Sequence, residues 1–526
     1  MATVVRMRRH ITSATILIAV TTVLAGCVPG LAADPRFATN SGARPQGAAT
    51  TKPPPPGPPP IAAPKNDLSW HDCTSQVFND AALRPAPGVE LDCANYDADL
   101  DPANGGSGTV TIGVVRARSN QTPKDAGPLV FTTGSDLPSS TQLPVWLSQA
   151  GADVLQTHPI VAVDRRGIGM SSPIDCRDHF ARQAMRDQAQ FQTGDDPVAN
   201  LSDISNTATT SCTDAIAPAG DSAYDNAHAA SDIERLRSLW DVPAVALVGI
   251  GNGAQLALAY AASRPDKVAR LILDSPIALG VNAEAAAEQQ VKGQQASLDA
   301  FAAQCIAVNC ALGPDPKGAV SALLADARAG KGPGGASVAE VAAAITVALG
   351  FPSGGRVNAT TSLANALAAA RSGDTNQLNS LINHADATQD SDGQFVNACS
   401  DAINRPTPDR VRELVVAWGK LYPQFGTVAA LDLVKCVHWP SGSPPAPPKK
   451  LKVDVLLSGV QNDPIVGSEG VAATAATIIN ANAASKRVMW QGIGHGASIY
   501  SPCAVPPLIG YLNSGKLPAT DTYCPA

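Results

Sequence analysis

The sequence predicts an α/β fold, a mostly parallel sheet flanked by helices, with a helical cap inserted late in the chain. Three observations carry this. Short β-branched and apolar runs alternate with longer helical stretches, as strands do when crossover helices return them parallel. One run ends in a glycine-dense turn that opens directly into a helix. Between about 277 and 440 the strand-like runs stop and the chain becomes Ala-rich.

In chain order, the first element is a targeting segment. Arg6, Arg8, Arg9 and His10 precede a mostly apolar stretch from Ile11 to Ala25. It is shorter than the roughly 20 residues a bilayer span needs and fits a signal-peptide core. Leu24-Ala25-Gly26-Cys27 then resembles the bacterial lipobox, in which the Cys is lipidated and becomes the mature N-terminus. An ordinary signal peptide with a chance Cys is the alternative. The expectation is a signal peptide over 1–26, a lipid on Cys27, and an exported, extracytoplasmic protein held at the cell membrane by that anchor. Residues 27–65 follow as a tether, since Pro53 to Pro56 and Pro58 to Pro60 favour extended polyproline II and build no core.

The strands come next. Thr109 to Val115, Pro128 to Thr133, Pro159 to Val163, Ala244 to Val248 and Val268 to Leu273 read as strands of a first core segment, 66–276. Ala283 to Ala300 and Ser337 to Leu349 read as helices of a cap, 277–440. Val453 to Leu457 and Arg487 to Trp490 return the chain to the sheet in a second core segment, 441–526.

Ten cysteines remain after Cys27, an even number, and in an exported chain that argues for disulfides. Connectivity does not follow from sequence; neighbour pairing is the economical choice: Cys73–Cys93, Cys176–Cys212, Cys305–Cys310, Cys399–Cys436 and Cys503–Cys524. The fourth pair is expected to clamp cap to core. No CxxC pair or His-rich partner points to zinc, so no metal and no cofactor is expected. The charge balance, 38 − 45 = −7, and the lack of a basic stripe argue against nucleic acid.

The chemistry concentrates at three places. Val245 to Val248 run into Gly249-Ile250-Gly251-Asn252-Gly253 and then a helix, the layout of a nucleophile elbow, whose central residue points into the site. That residue is Gly251, which carries no nucleophile. The glycine spacing does not fit a dinucleotide fingerprint. Asp463 follows a late strand, and His495 follows the last one within Gly492-Ile493-Gly494-His495-Gly496. Nucleophile position, Asp, His is the chain order of α/β-hydrolase triads.

The chain resembles the exported actinobacterial α/β-hydrolases related to tripeptidyl aminopeptidases, including mycobacterial lipoprotein serine hydrolases. The resemblance rests on Val163-Asp164-Arg165-Arg166-Gly167-Ile168-Gly169-Met170-Ser171, on Arg264-Pro265-Asp266-Lys267-Val268 after the elbow helix, on Cys436-Val437-His438-Trp439-Pro440, and on His495 with Cys503 and Cys524. It implies an α/β-hydrolase core, a helical cap and release of short peptides from free N-termini. The chain departs from that pattern where chemistry is done. Gly251 stands at the nucleophile position, and the oxyanion segment reads Thr132-Thr133-Gly134-Ser135-Asp136-Leu137-Pro138. Gly134, Ser135 and Asn252 are the oxyanion-region candidates, and Asp136 beside them opposes a developing negative charge.

Two functions follow. One is a non-catalytic relative that binds a peptide, lipid or protein ligand in the former active cleft. The other is a hydrolase with an unusual nucleophile, Ser135 or Ser498, or a water oriented by Asp463 and His495. Because the elbow glycines are kept, Gly251→Ser is expected to fit and to place a hydroxyl beside His495.

Overall fold

The computed structural model describes residues 57–103, 108–188, 194–216, 223–440, 442 and 445–526. The signal peptide, Cys27 and the tether as far as Pro56 lie outside the described residues.

Ten strands form one sheet: β1 His71–Asp72, β2 Val89–Asp99, β3 Thr109–Ser119, β4 Leu129–Thr132, β5 Ile160–Val163, β6 Val245–Ile250, β7 Val268–Asp274, β8 Val455–Asn462, β9 Ser485–Ile493 and β10 Thr522–Cys524. Their order is β1-β2-β3-β5-β4-β6-β7-β8-β9-β10. From β5 to β10 every pairing is parallel, while β1, β2 and β3 join antiparallel. This is the α/β-hydrolase arrangement. Strands β4, β5, β6 and β7 are buried along their whole length, as strands covered on both faces by helices must be. β2 was not anticipated. Its acidic residues Glu90, Asp92, Asp97 and Asp99 break up the apolar run, yet Val89, Leu91, Cys93, Tyr96 and Ala98 are buried against the sheet's helical cover. β3 extends to Ser119, past the expected Val115, because its last residues pair with Val89 to Asp92.

Residues 57–65 are not free tether. Pro59 O accepts from Arg270 Nη1 (2.8 Å), and the Lys65 N–H donates to Trp240 O (2.9 Å). The chain is held to the core from here on, earlier than the expected start at 66.

Between β7 and β8 lie helices from Ala283 to Cys436, among them Ala283–Ala307, Val338–Gly350 and Asp392–Asp401. They bury their own apolar cluster, built around Phe301, Ile345, Leu367 and Trp418. Val198 and Leu201, on the helix Pro197–Ile216, are buried in that same cluster. The helical layer therefore has two chain origins, and a stretch assigned from sequence to the first core segment packs partly as cap. The layer sits on the strand ends and is not a separate bead: Arg177 pairs with Asp392, and Arg165 with Asp401.

All five neighbour disulfides are formed. The Cys399–Cys436 bond joins two elements of the helical layer, Asp392–Asp401 and Leu433–Cys436, and does not clamp that layer to the sheet. No described helix is long and apolar enough to cross a membrane.

Candidate functional site

The site forms where β6, β8 and β9 end. Gly251 takes φ +58° and ψ −120°, a conformation that strains any L side chain. Its N–H donates to Asp274 O (3.0 Å), and the helix Asn252–Ser263 starts at the next residue. Gly253 is required by proximity: a Cβ there would lie 2.1 Å from Thr132 O. The backbone of a nucleophile elbow is thus fully built around a residue with no side chain.

Asp463 lies just beyond β8 and His495 just beyond β9, both buried. His495 Nδ1 stands 3.0 Å from Asp463 Oδ2 and 3.2 Å from Oδ1. The Ile465 and Val466 amides donate to Asp463 Oδ1 at 2.9 and 3.2 Å and fix the carboxylate. The Phe351 ring, from the helical layer, meets the imidazole edge-on at 5.9 Å.

The space that a side chain at position 251 would enter is not empty. An ideal Cβ on Gly251 would fall 1.9 Å from Asp136 Oδ2 and 2.7 Å from His495 Nε2. Asp136 Oδ2 accepts from the Asn252 N–H at 2.7 Å and lies 3.7 Å from His495 Nε2. That N–H belongs to the residue after the nucleophile position, which donates to the oxyanion in this fold. A carboxylate at a helix N-terminus is favoured by the amides it meets. Burial alone would lower the His495 pKa, but the charge of the hydrogen-bonded Asp463 and the nearby carboxylate of Asp136, 3.7 Å from Nε2, raise it to about 10. Carboxylates on both sides of the ring, Asp463 at Nδ1 and Asp136 facing Nε2, favour the imidazolium form. An imidazolium beside an anion in the hole is the charge pattern of a tetrahedral intermediate, produced here by the protein's own side chain.

A Ser at 251 would require the Asp136 carboxylate to move aside.

The remaining oxyanion candidates are committed elsewhere. The Ser135 N–H donates to Asn252 Oδ1 (3.0 Å), which also accepts from Arg165 Nη1 (2.7 Å). Gly134 has φ +61°, and a Cβ there would meet Asn252 Oδ1 at 2.3 Å. Neither serine offered as a substitute nucleophile reaches His495, whose Nε2 has no hydrogen-bond partner. The Ser498 hydroxyl instead donates to buried Asp274 (2.6 Å).

Sequence reading placed Asp136 near the hole but not in it. It also missed what Asp164 and Arg165 do. Buried Asp164 accepts from the Ser140 N–H (2.8 Å) and hydroxyl (2.7 Å) and from the Met170 N–H (2.8 Å). Arg165 links Asn252 to Asp401 of the helical layer, 2.7 Å each. Gln394 Nε2, also from that layer, donates to Asp136 O (2.9 Å). The loop that carries Asp136 is thereby held from both sides.

Two cavities adjoin this centre. One of about 290 Å³ is largely apolar, with Ile277, Leu433, Ile465 and Val466 in its wall beside Asp136 and Asp432. The other, about 370 Å³ and largely apolar, is lined by Leu137, Val145, Phe351 and Tyr500 among others. Among the described residues no three His, Cys, Asp or Glu side chains group so as to hold a metal.

Residues 422–524 match the family model described as TAP-like protein. A stretch of 182 residues is 26% identical to the serine protease Hip1 of Mycobacterium tuberculosis and of Mycobacterium bovis, covering 33% of this chain. The match spans about a third of those relatives, 35% of their length. Among solved structures, a thermophilic esterase from Thermogutta terrifontis is 14% identical with a TM-score of 0.35, over 80% of this chain and 99% of that one. An esterase from a Rhodococcus is 15% identical with a TM-score of 0.34, over 77% of this chain and 96% of that one.

Proposed function

Starting from an α/β-hydrolase related to the TAP-like proteins, we propose that this chain binds a short peptide in its former active cleft and does not hydrolyse it by serine chemistry. One observation carries the reading: Asp136 Oδ2 stands 1.9 Å from where a side chain at 251 would begin and holds the Asn252 N–H. Serine hydrolysis needs an attacking oxygen, a neutral His to take its proton and a free hole for the oxyanion. None of the three is provided here. The peptide class rests on the relatives, which are named as serine proteases; Asp136, Gln289, Gln290 and Asp432 are polar groups in an otherwise mostly apolar 290 Å³ cavity.

A second reading has its own observation. A carboxylate beside a His–Asp pair is a nucleophile in some hydrolases, and Asp136 is so placed. The same geometry opposes it. Attack by Asp136 would leave the developing oxyanion without the N–H that Asp136 itself holds, next to a His already protonated.

The test is binding without turnover. Alanine tri- and tetrapeptides are expected to raise the melting temperature in proportion to the logarithm of their concentration. Mass spectrometry should find them intact after prolonged incubation. Cleavage that disappears in a His495→Ala variant would overturn the reading.

The reading includes export and a lipid anchor on Cys27, supported by the lipobox-like Leu24 to Cys27 and by five disulfides. Cys27→Ala should release the protein from the membrane fraction or leave it unprocessed; a processed variant that stays in that fraction contradicts the anchor.

A further inference from the structure

The largely apolar cavity of about 370 Å³ lies between the two layers. From the core its wall takes Leu83, Val145 on the helix Ser139–Gln149 and Tyr500 at the end of Ala497–Tyr500. From the helical layer it takes Phe351, just beyond Val338–Gly350, and Ala387 on Asn376–Gln389. A mostly apolar cavity of roughly 300–1,000 Å³ where two layers meet is the common form of a ligand pocket.

Its apolar wall is accessible. Leu83, Val145 and Tyr500 each pack on the buried core cluster yet stay only partly buried themselves, and Phe351 is partly buried too. An apolar group that covers such surface removes it from water, which is favourable in proportion to the area. The cavity also borders the centre on two sides. Leu137 in its wall directly follows Asp136, and the Phe351 ring meets the His495 imidazole edge-on at 5.9 Å. A ligand held at that centre therefore has an apolar cavity beside it. Asp80, Thr141, Gln149 and His384 interrupt the apolar wall. That mixture suits a side chain projecting from a polar backbone better than a hydrocarbon tail.

We propose that this cavity is a specificity subsite for one bulky apolar side chain, of leucine or phenylalanine size, on a peptide bound at the His495 centre. This rests on the peptide-binding reading above and adds which peptides are preferred. Val145 and Phe351, one from each layer, set the size of the subsite.

The experiment titrates trialanine, and its single Leu, Phe and Trp variants at each of the three positions, against the full chain by calorimetry. At one position Leu or Phe is expected to bind about tenfold more tightly than Ala, the lower end of what burying such a side chain contributes. Val145→Trp, which fills the cavity from the core side, should bring that ratio close to one. Phe351→Ala, which enlarges it from the other side, should shift the preference toward Trp. A residue that only supported the fold would not change which side chain is preferred. Melting temperatures near wild type establish that the variants fold, and if Val145→Trp does not, Phe351→Ala decides alone. Trialanine binding with no gain from a larger side chain at any position, or a preference that neither variant alters, overturns the subsite and leaves the peptide reading standing. Binding of decanoic acid with no binding of any peptide overturns both.

Discussion

Position 251 carries no side chain, and Asp136 Oδ2 stands where one would begin. Gly251→Ser alone should leave the protein inert and less stable, because the new Cβ and Asp136 Oδ2 claim the same space. Asp136 also changes the titration of the site. His495 has its folded pKa raised from an ordinary 6.5 to about 10. A raised pKa on a base stabilises the fold fully below the unfolded value, and that stability is lost as the pH climbs through the folded value. The wild type should therefore lose stability between about pH 7 and about pH 10, and His495→Gln should flatten that stretch of the profile. Urea midpoints measured across the range check it; parallel profiles would mean that His495 is neutral in the folded state. Asp463 and His495 were legible in the sequence because chain order and strand ends locate them. The position of Asp136 Oδ2 was not. It depends on how a loop after β4 folds over a helix that begins about 115 residues later, at a separation of |i−j| = 116, and no local pattern encodes that.

Among the elements, the elbow turn was legible and its tolerance is testable. Gly253 is fixed by the Thr132 carbonyl, backbone that cannot swing aside, so Gly253→Ala should cost about 3 kcal/mol, the range of an overpacked core. An unchanged urea midpoint would show that helix and strand can part without cost. The disulfide pattern was legible from spacing, though the role of one bond was not. Cys399–Cys436 was expected between layers and lies within one, closing a separation of 37 residues. Replacing both by Ser should lower stability by about 2–4 kcal/mol. The loss should appear as faster hydrogen exchange in Asp392–Asp401 and Leu433–Cys436, with the parallel strands unaffected. Uniform loss of protection over β4 to β7 would instead place the bond in the global folding unit. β2 escaped the sequence reading because its exposed acids masked an alternating strand. The share of Pro197–Ile216 in the helical layer escaped because an amphipathic helix does not announce which layer it packs on.

For the whole molecule, an α/β-hydrolase fold carries a sharp turn at Gly251, a buried His495–Asp463 pair and a helical layer, with Asp136 bonded to the Asn252 N–H. Arg165, Gln394 and the Asp164 cradle hold the loop that carries Asp136, and two of those contacts reach the helical layer. The position of Asp136 is therefore a property of the assembled fold and not of one flexible side chain. Labelling by a fluorophosphonate probe tests this most directly, since the probe needs an attacking oxygen, a neutral His and a free hole together. The account predicts no labelling of the wild type, none of Gly251→Ser, and labelling of the double variant Gly251→Ser with Asp136→Ala at the introduced hydroxyl. Labelling of the wild type that is lost in His495→Ala would contradict it.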